Sequence, residues 1–256
     1  MFPGPRFLFL FPLAALLACG SSPPSPSTPA IEDWGVFTTS SSSTQPVIAF
    51  NGALQISNGL ITGIMEASTN PIEAPCAIVS PVAVNGTLSS GNSITISLPV
   101  AGGTATITAT LGANLQTLVN GTYQIVGGSC AMPETPMTIA QYAPISGTYT
   151  GTFSGTTGGP VLTGNFTVTA VINQSTTPSA GEFPFTGTLT VTGSCSISTI
   201  PISGYVFGGS FGTNNLATNM WIGGHSNPTA TTISTRFNDA DCYQSVFGAS
   251  LTLTLQ

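Results

Sequence analysis

The 256-residue chain carries two Lys or Arg against eight Asp or Glu, a formal net charge of −6. Clusters of Lys and Arg are what bind nucleic acid or grip anionic lipid headgroups, so this balance excludes the first partner and disfavours the second. With 41% apolar residues the chain is too hydrophobic for disorder, and its polar surface must come from Ser, Thr, Asn and Gln.

Arg6 precedes an apolar run over residues 7–17, broken once by Pro12; at eleven residues it is shorter than a bilayer span, which takes roughly 20. A charged start, an apolar core of this length and small residues at its end predict a secretory signal peptide over residues 1–18. The run ends in Leu16-Leu17-Ala18-Cys19-Gly20, which resembles the lipobox of bacterial lipoproteins. That resemblance implies a lipid on the Cys19 thiol and a stable membrane anchor, since several acyl chains hold where one does not. Gly20 does not resemble the aspartate that retains some lipoproteins at the inner membrane, so the expected address is the outer membrane of a bacterial envelope. Residues 19–33, rich in Ser and Pro, read as an extended tether, with the fold beginning near Trp34.

Beyond the tether the dominant signal has period two. Residues 93–98, 104–111, 166–170, 188–192 and 251–255 alternate apolar with Ser or Thr, the pattern of half-buried antiparallel strands. No stretch holds apolar residues at helical spacing, and β-branched residues crowd every candidate, so helix content should be close to nil. Turn signals are frequent: Asn51-Gly52, Asn58-Gly59, Asn85-Gly86, Gly102-Gly103, Asn120-Gly121, Gly158-Gly159-Pro160, Pro178-Ser179-Ala180-Gly181 and Asn214-Asn215. Where a polar residue, Gly, Thr and a large apolar residue follow in order, from Asn85, Asn120, Ser146, Thr150 and Thr186, the Gly reads instead as a bulge or bend in a closing sheet.

The chain repeats itself. A strand at 61–65 precedes Cys76, and Gly86 follows; a strand at 185–189 precedes Cys195, and Gly204 follows. Each half ends in a strand running into a second cysteine, Cys130 and Cys242. The joint falls near Tyr142-Ala143-Pro144-Ile145-Ser146, giving β repeats over 34–143 and 144–256. Of five cysteines, the four beyond Cys19 form an even set in a compartment that permits disulfides, and independent halves would pair them Cys76–Cys130 and Cys195–Cys242. Closing a loop of about 50 residues is worth roughly 4 kcal/mol on the chain-entropy account. No C-x-x-C pair is present and His225 is the sole histidine, which argues against structural zinc.

Ile145-Ser146-Gly147-Thr148-Tyr149-Thr150-Gly151-Thr152-Phe153, the stretch from Gln174 to Val191, and Asn120-Gly121-Thr122-Tyr123 leading to Cys130 resemble a family of Thr- and Gly-rich lipoproteins from soil acidobacteria with duplicated lipocalin-like β units. The resemblance covers roughly residues 34–256 and departs at Ser234-Thr235-Arg236-Phe237, where another Gly-Thr-Tyr is expected. It implies address and fold and carries over no activity.

Candidate chemistry is thin. Gly208-Gly209-Ser210-Phe211-Gly212 matches G-x-S-x-G, with His225 and Asp239 downstream, but that motif needs a helix after the turn and the acid before the histidine. It reads as a glycine-rich strand or hairpin, and His225 as a polar loop residue. Asn238-Asp239-Ala240-Asp241 lacks the Gly and Glu of a calcium loop. Glu66 with Glu73, or Glu182 with another acid, reads as an accidental carboxylate pair rather than a glycosidase one. Trp34, Trp221 and the phenylalanines read as core.

The expected fold is all-β, two tandem antiparallel up-and-down barrels or sandwiches, with one merged barrel as the alternative. The expected function is non-enzymatic: a lipid-anchored envelope protein holding a small apolar or amphiphilic ligand in a lipocalin-like barrel, with no cofactor and no metal. The alternative is a structural or adhesive module whose neutral, hydroxyl-rich face meets polysaccharide.

Overall fold

The structure is a computed structural model, and it describes residues 30–38, 48–69, 81–100, 102–112, 119–128, 131–153, 166–192, 198–213, 220–239 and 249–256. The segment expected to be a signal peptide, most of the expected tether and all five cysteines, Cys19, Cys76, Cys130, Cys195 and Cys242, lie outside those residues.

Eight strands form a first closed antiparallel barrel: β1 (Ile31–Thr38), β2 (Ile48–Ser57), β3 (Leu60–Thr69), β4 (Val82–Leu88), β5 (Ser93–Val100), β6 (Gly103–Thr110), β7 (Val119–Gly127) and β8 (Met132–Tyr142). Each pairs with the next in the chain, and β1 closes on β8 from Asp33↔Tyr142 to Thr38↔Met137. Eight more form a second: β9 (Gly147–Phe153), β10 (Phe166–Gln174), β11 (Phe183–Thr192), β12 (Ser198–Phe207), β13 (Ser210–Thr213), β14 (Met220–Ser226), β15 (Thr232–Asp239) and β16 (Ala249–Leu255). Here β16 closes on β9 at Thr254↔Thr150 and Leu255↔Tyr149. Two separate closures make two barrels, neither sandwiches nor one merged barrel, and closure leaves no sheet edge open in either. The repeated segments fall on equivalent strands: 61–65 in β3 and 185–189 in β11, Gly86 in β4 and Gly204 in β12.

The alternation in sequence becomes alternation in burial. Along β5, Ile94, Ile96, Leu98 and Val100 point into the lumen while Ser93, Thr95, Ser97 and Pro99 face outward. Each buried aliphatic side chain stabilises the fold by about 1.5–3 kcal/mol. The first lumen is filled by Trp34, Phe50, Met65 and Tyr123 among others, the second by Tyr149, Phe185, Phe211 and Leu253. An edge-to-face ring pair sits in each, Phe50 with Tyr123 at 6.2 Å and Phe185 with Phe211 at 6.3 Å. The buried phenols keep partners: Tyr123 donates to the Met132 sulfur at 3.4 Å and Tyr149 to the Ala230 carbonyl at 2.8 Å.

Several turn signals prove to be strand. Asn58-Gly59 makes a tight hairpin, with φ of +51° and +76°, the conformation that favours this dipeptide. Asn51-Gly52, Asn85-Gly86 and Asn120-Gly121 instead lie inside β2, β4 and β7, and no register shift falls at Gly86 or Gly121. These glycines serve close approach rather than bending: a Cβ on Gly52 would overlap the Ile64 carbonyl oxygen of the neighbouring strand. The joint at 143–146 is held rather than loose. Ala143 N–H donates to the Pro228 carbonyl at 2.8 Å, and Ile145 N–H to the Gln174 side-chain oxygen at 2.9 Å.

Candidate functional site

β1 begins at Ile31, so Glu32 and Asp33 belong to the first barrel's wall and not to the tether. On β1 Trp34 and Val36 face the lumen, which turns Asp33 outward, yet Asp33 is only 3% exposed. The second barrel covers it. The links β10–β11, β12–β13 and β14–β15 share one rim of that barrel, and this rim rests on the outer wall of the first. Gly208 and Gly209 at the β12–β13 turn meet Asn51 and Tyr142, and Gly181 at the β10–β11 turn meets Ile64. Ala53, facing outward on β2, joins the second barrel's hydrophobic cluster.

Asp33 is the centre of this contact. Its carboxylate accepts the backbone N–H of Gly208 at 2.6 Å and of Gly209 at 3.0 Å. Both glycines have positive φ, +56° and +73°, a conformation that lets successive N–H groups converge on one anion. Burial pushes the Asp33 carboxyl up to about 6, against the opposing pull of backbone donors at Gly209, Gly208 and Trp34. Burial, and then the charge of Asp33, pushes the Tyr142 phenol up to about 12. Glu32 is raised by burial with the Gln141 side chain opposing, and Glu182 is raised by burial and then by the charge of Glu66.

Beside this contact lies a cavity of about 490 Å³, half enclosed between the barrels. Ile31, Tyr142, Ala143, Pro144 and Phe183 give it an apolar wall, and Glu32, Asp33, Gln141 and Gln174 give it a polar end. Perturbed carboxyls in a cleft at a domain interface are the physical signature of a candidate site. The lumens are different. Val36, Phe50, Met65, Ile96, Ala105, Ile107, Tyr123 and Ile139 in the first, and Tyr149, Val168, Ala170, Ile233 and Leu253 in the second, are 0% exposed. Among the described residues these side chains pack the barrel interiors closely.

The other candidate residues are placed as follows. Ser210 and His225 face each other on β13 and β14, with Ser210 Oγ 3.0 Å from His225 Nδ1, so His225 is a strand residue and not a loop one. Asp239 cannot complete a triad. His225 faces Ser234, and Asp239 lies five residues beyond it, about 17 Å along the strand. Gly208-Gly209 is a hairpin turn between strands, with no helix after it. Glu66 and Glu182 do approach across the barrel contact, but neither lines the cavity. Asn238 and Asp239 end β15, while Glu73, Ala240 and Asp241 lie outside the described residues. Trp34 is core, and the Trp221 side chain lies outside the described part. Among the described residues no three His, Cys, Asp or Glu side chains converge as metal ligands would. Asp33 went unread in the sequence because it sits at the end of a tether-like composition. The available signal was an acidic pair directly before a tryptophan, in a chain with eight acids.

Two closed eight-stranded barrels in tandem are an architecture compatible with a lipocalin-like binding module. No protein-family model, curated protein or solved structure matches the chain.

Proposed function

We propose that this chain is a lipid-anchored envelope protein that binds a small amphiphilic molecule between its two barrels. The observation that carries this reading is the junction cavity, whose volume of about 490 Å³ falls within the roughly 300–1,000 Å³ of small-molecule sites. An apolar body would lie against Phe183, Tyr142 and Pro144. A donor or cationic head would meet Glu32, whose carboxylate is not fully engaged by backbone as that of Asp33 is. The role is one of holding rather than transforming, since among the described residues the cavity is lined by carboxylates, amides and hydroxyls without a histidine or a serine–base pair.

Native mass spectrometry of the full chain purified from its own envelope should show a small bound mass. Thr176 is an exposed residue of the cavity wall, so Thr176→Trp should fill the space and release that mass without disturbing either barrel. A wild-type chain with nothing bound, or a variant that keeps its passenger, would sink the reading.

The anchor belongs to the same proposal. Cys19→Ala should leave uncleaved or freely soluble protein, and equal fractionation of variant and wild type with membranes would defeat the lipid reading. So do the intra-barrel disulfides. By chain position Cys76 and Cys130 fall in the β3–β4 and β7–β8 links, and Cys195 and Cys242 in the equivalent links of the second barrel.

A further inference from the structure

The second barrel carries a separate open groove of about 1200 Å³ on its outer wall, over β10, β9, β16, β15, β14 and β13. Its floor is ordered by strand register. Thr167 faces Thr152, Thr252 faces Ser234, Ser234 faces His225 and His225 faces Ser210, which sets one row of polar side chains across the strands. Thr254 and Thr150 begin a second row, and Arg236 and Ser250 a third. Neighbouring strands lie about 4.8 Å apart, and same-face residues about 7 Å apart along each strand. Hydroxyls are therefore presented on a regular grid, each able to donate and accept.

Charge is distributed against the chain's own average. Net charge is −6, yet no acid among the described residues lines the groove. Arg236, the sole Lys or Arg beyond the signal peptide, and His225, the sole histidine, both do. They are diagonal neighbours, because His225 faces Ser234 while Arg236, two residues on, faces Gly223. Gly223 puts no side chain beside the guanidinium, and among the described residues no acid pairs with it. A guanidinium matches a carboxylate in planar, two-pronged fashion.

We propose that this groove binds an acidic polysaccharide, its hydroxyls on the Ser and Thr grid and a uronate carboxylate on Arg236. One arginine is too few to hold nucleic acid or an anionic bilayer by counterion release. It suffices to select a charged sugar from a neutral one when hydroxyls supply the remaining contacts. The site is independent of the junction cavity, and the experiment separates the two.

Calorimetric titration of the full chain with polygalacturonate and with a neutral glucan of similar length tests it. Polygalacturonate should bind at least about tenfold more tightly, and Arg236→Gln should remove about that factor, the loss of one charge-assisted pair. Arg236→Lys should recover part of it, and added salt should weaken the wild type towards the Gln variant. Thr176→Trp should bind the polymer as the wild type does. Equal affinity for the neutral glucan, no binding of polygalacturonate, or an Arg236→Gln variant that binds unchanged with its circular dichroism intact would each overturn the proposal.

Discussion

Asp33→Ala should undock the two barrels while leaving each folded. The substitution strands the N–H groups of Gly208 and Gly209 in a buried contact, and each unpaired donor costs roughly 1–3 kcal/mol. The effect should be read near pH 4, close to the unfolded value of 3.8, where ionisation of the carboxyl costs least. Hydrogen exchange at Gly208 and Gly209 should accelerate strongly, and the molecule should become more extended in solution. The acid also sets a pH dependence. Its value rises from 3.8 to about 6 in the folded chain, so its favourable contribution is complete below about pH 4. As pH rises through 6, roughly 3 kcal/mol is lost. Glu32 and Glu182 shift in the same direction from more exposed positions. Asp33→Asn should flatten most of the slope between pH 4 and pH 7. Unchanged exchange in the Ala variant, or a wild type whose stability climbs with pH across that window, would refute this account of the contact.

Trp34→Ala should cost about 3–5 kcal/mol, the range for emptying a large aromatic site, and should unfold the first barrel well before the second. Trp34 is 1% exposed, and the barrel closes around it through β1, which pairs on both sides with β2 and β8. Trp34→Phe should be far milder. The indole Nε1 is a buried donor with no hydrogen-bond partner among the described residues, a burden of about 1–3 kcal/mol that phenylalanine lacks. Its removal offsets much of the lost apolar area. Urea unfolding followed by peptide-resolved hydrogen exchange distinguishes the cases. If Phe proved as damaging as Ala, or both barrels melted together in the Ala variant, the filled-lumen account would be wrong.

The polar groove was only half legible in advance. A neutral, hydroxyl-rich surface follows from composition alone. That Thr152, Thr252, Ser234 and Ser210 fall in one row with His225 depends on strand register, which the alternation of each strand does not contain, because every two-residue shift preserves it.

What the sequence by itself determined is whatever nearest neighbours decide. Period-two alternation over residues 93–98, 104–111 and 251–255 makes strands, since successive side chains point to opposite faces. The internal repeat, with a strand before Cys76 and Cys195 and another running into Cys130 and Cys242, points to two units, while their closure as eight-stranded barrels was left to the fold. The tertiary structure decided the rest, where the deciding partner is remote in the chain. Asn-Gly reads locally as a turn at 51 and as a bulge or bend at 85 and 120, but the carbonyls of adjacent strands at Gly52, Gly86 and Gly121 require glycine in mid-strand. Asp33 looks like the end of a tether until residues 175 and 176 positions away bring two N–H groups onto its carboxylate. The lumens filled because inward side chains from eight strands converge on one axis. The half-enclosed cavity lies outside them, where one barrel's rim meets the other's wall.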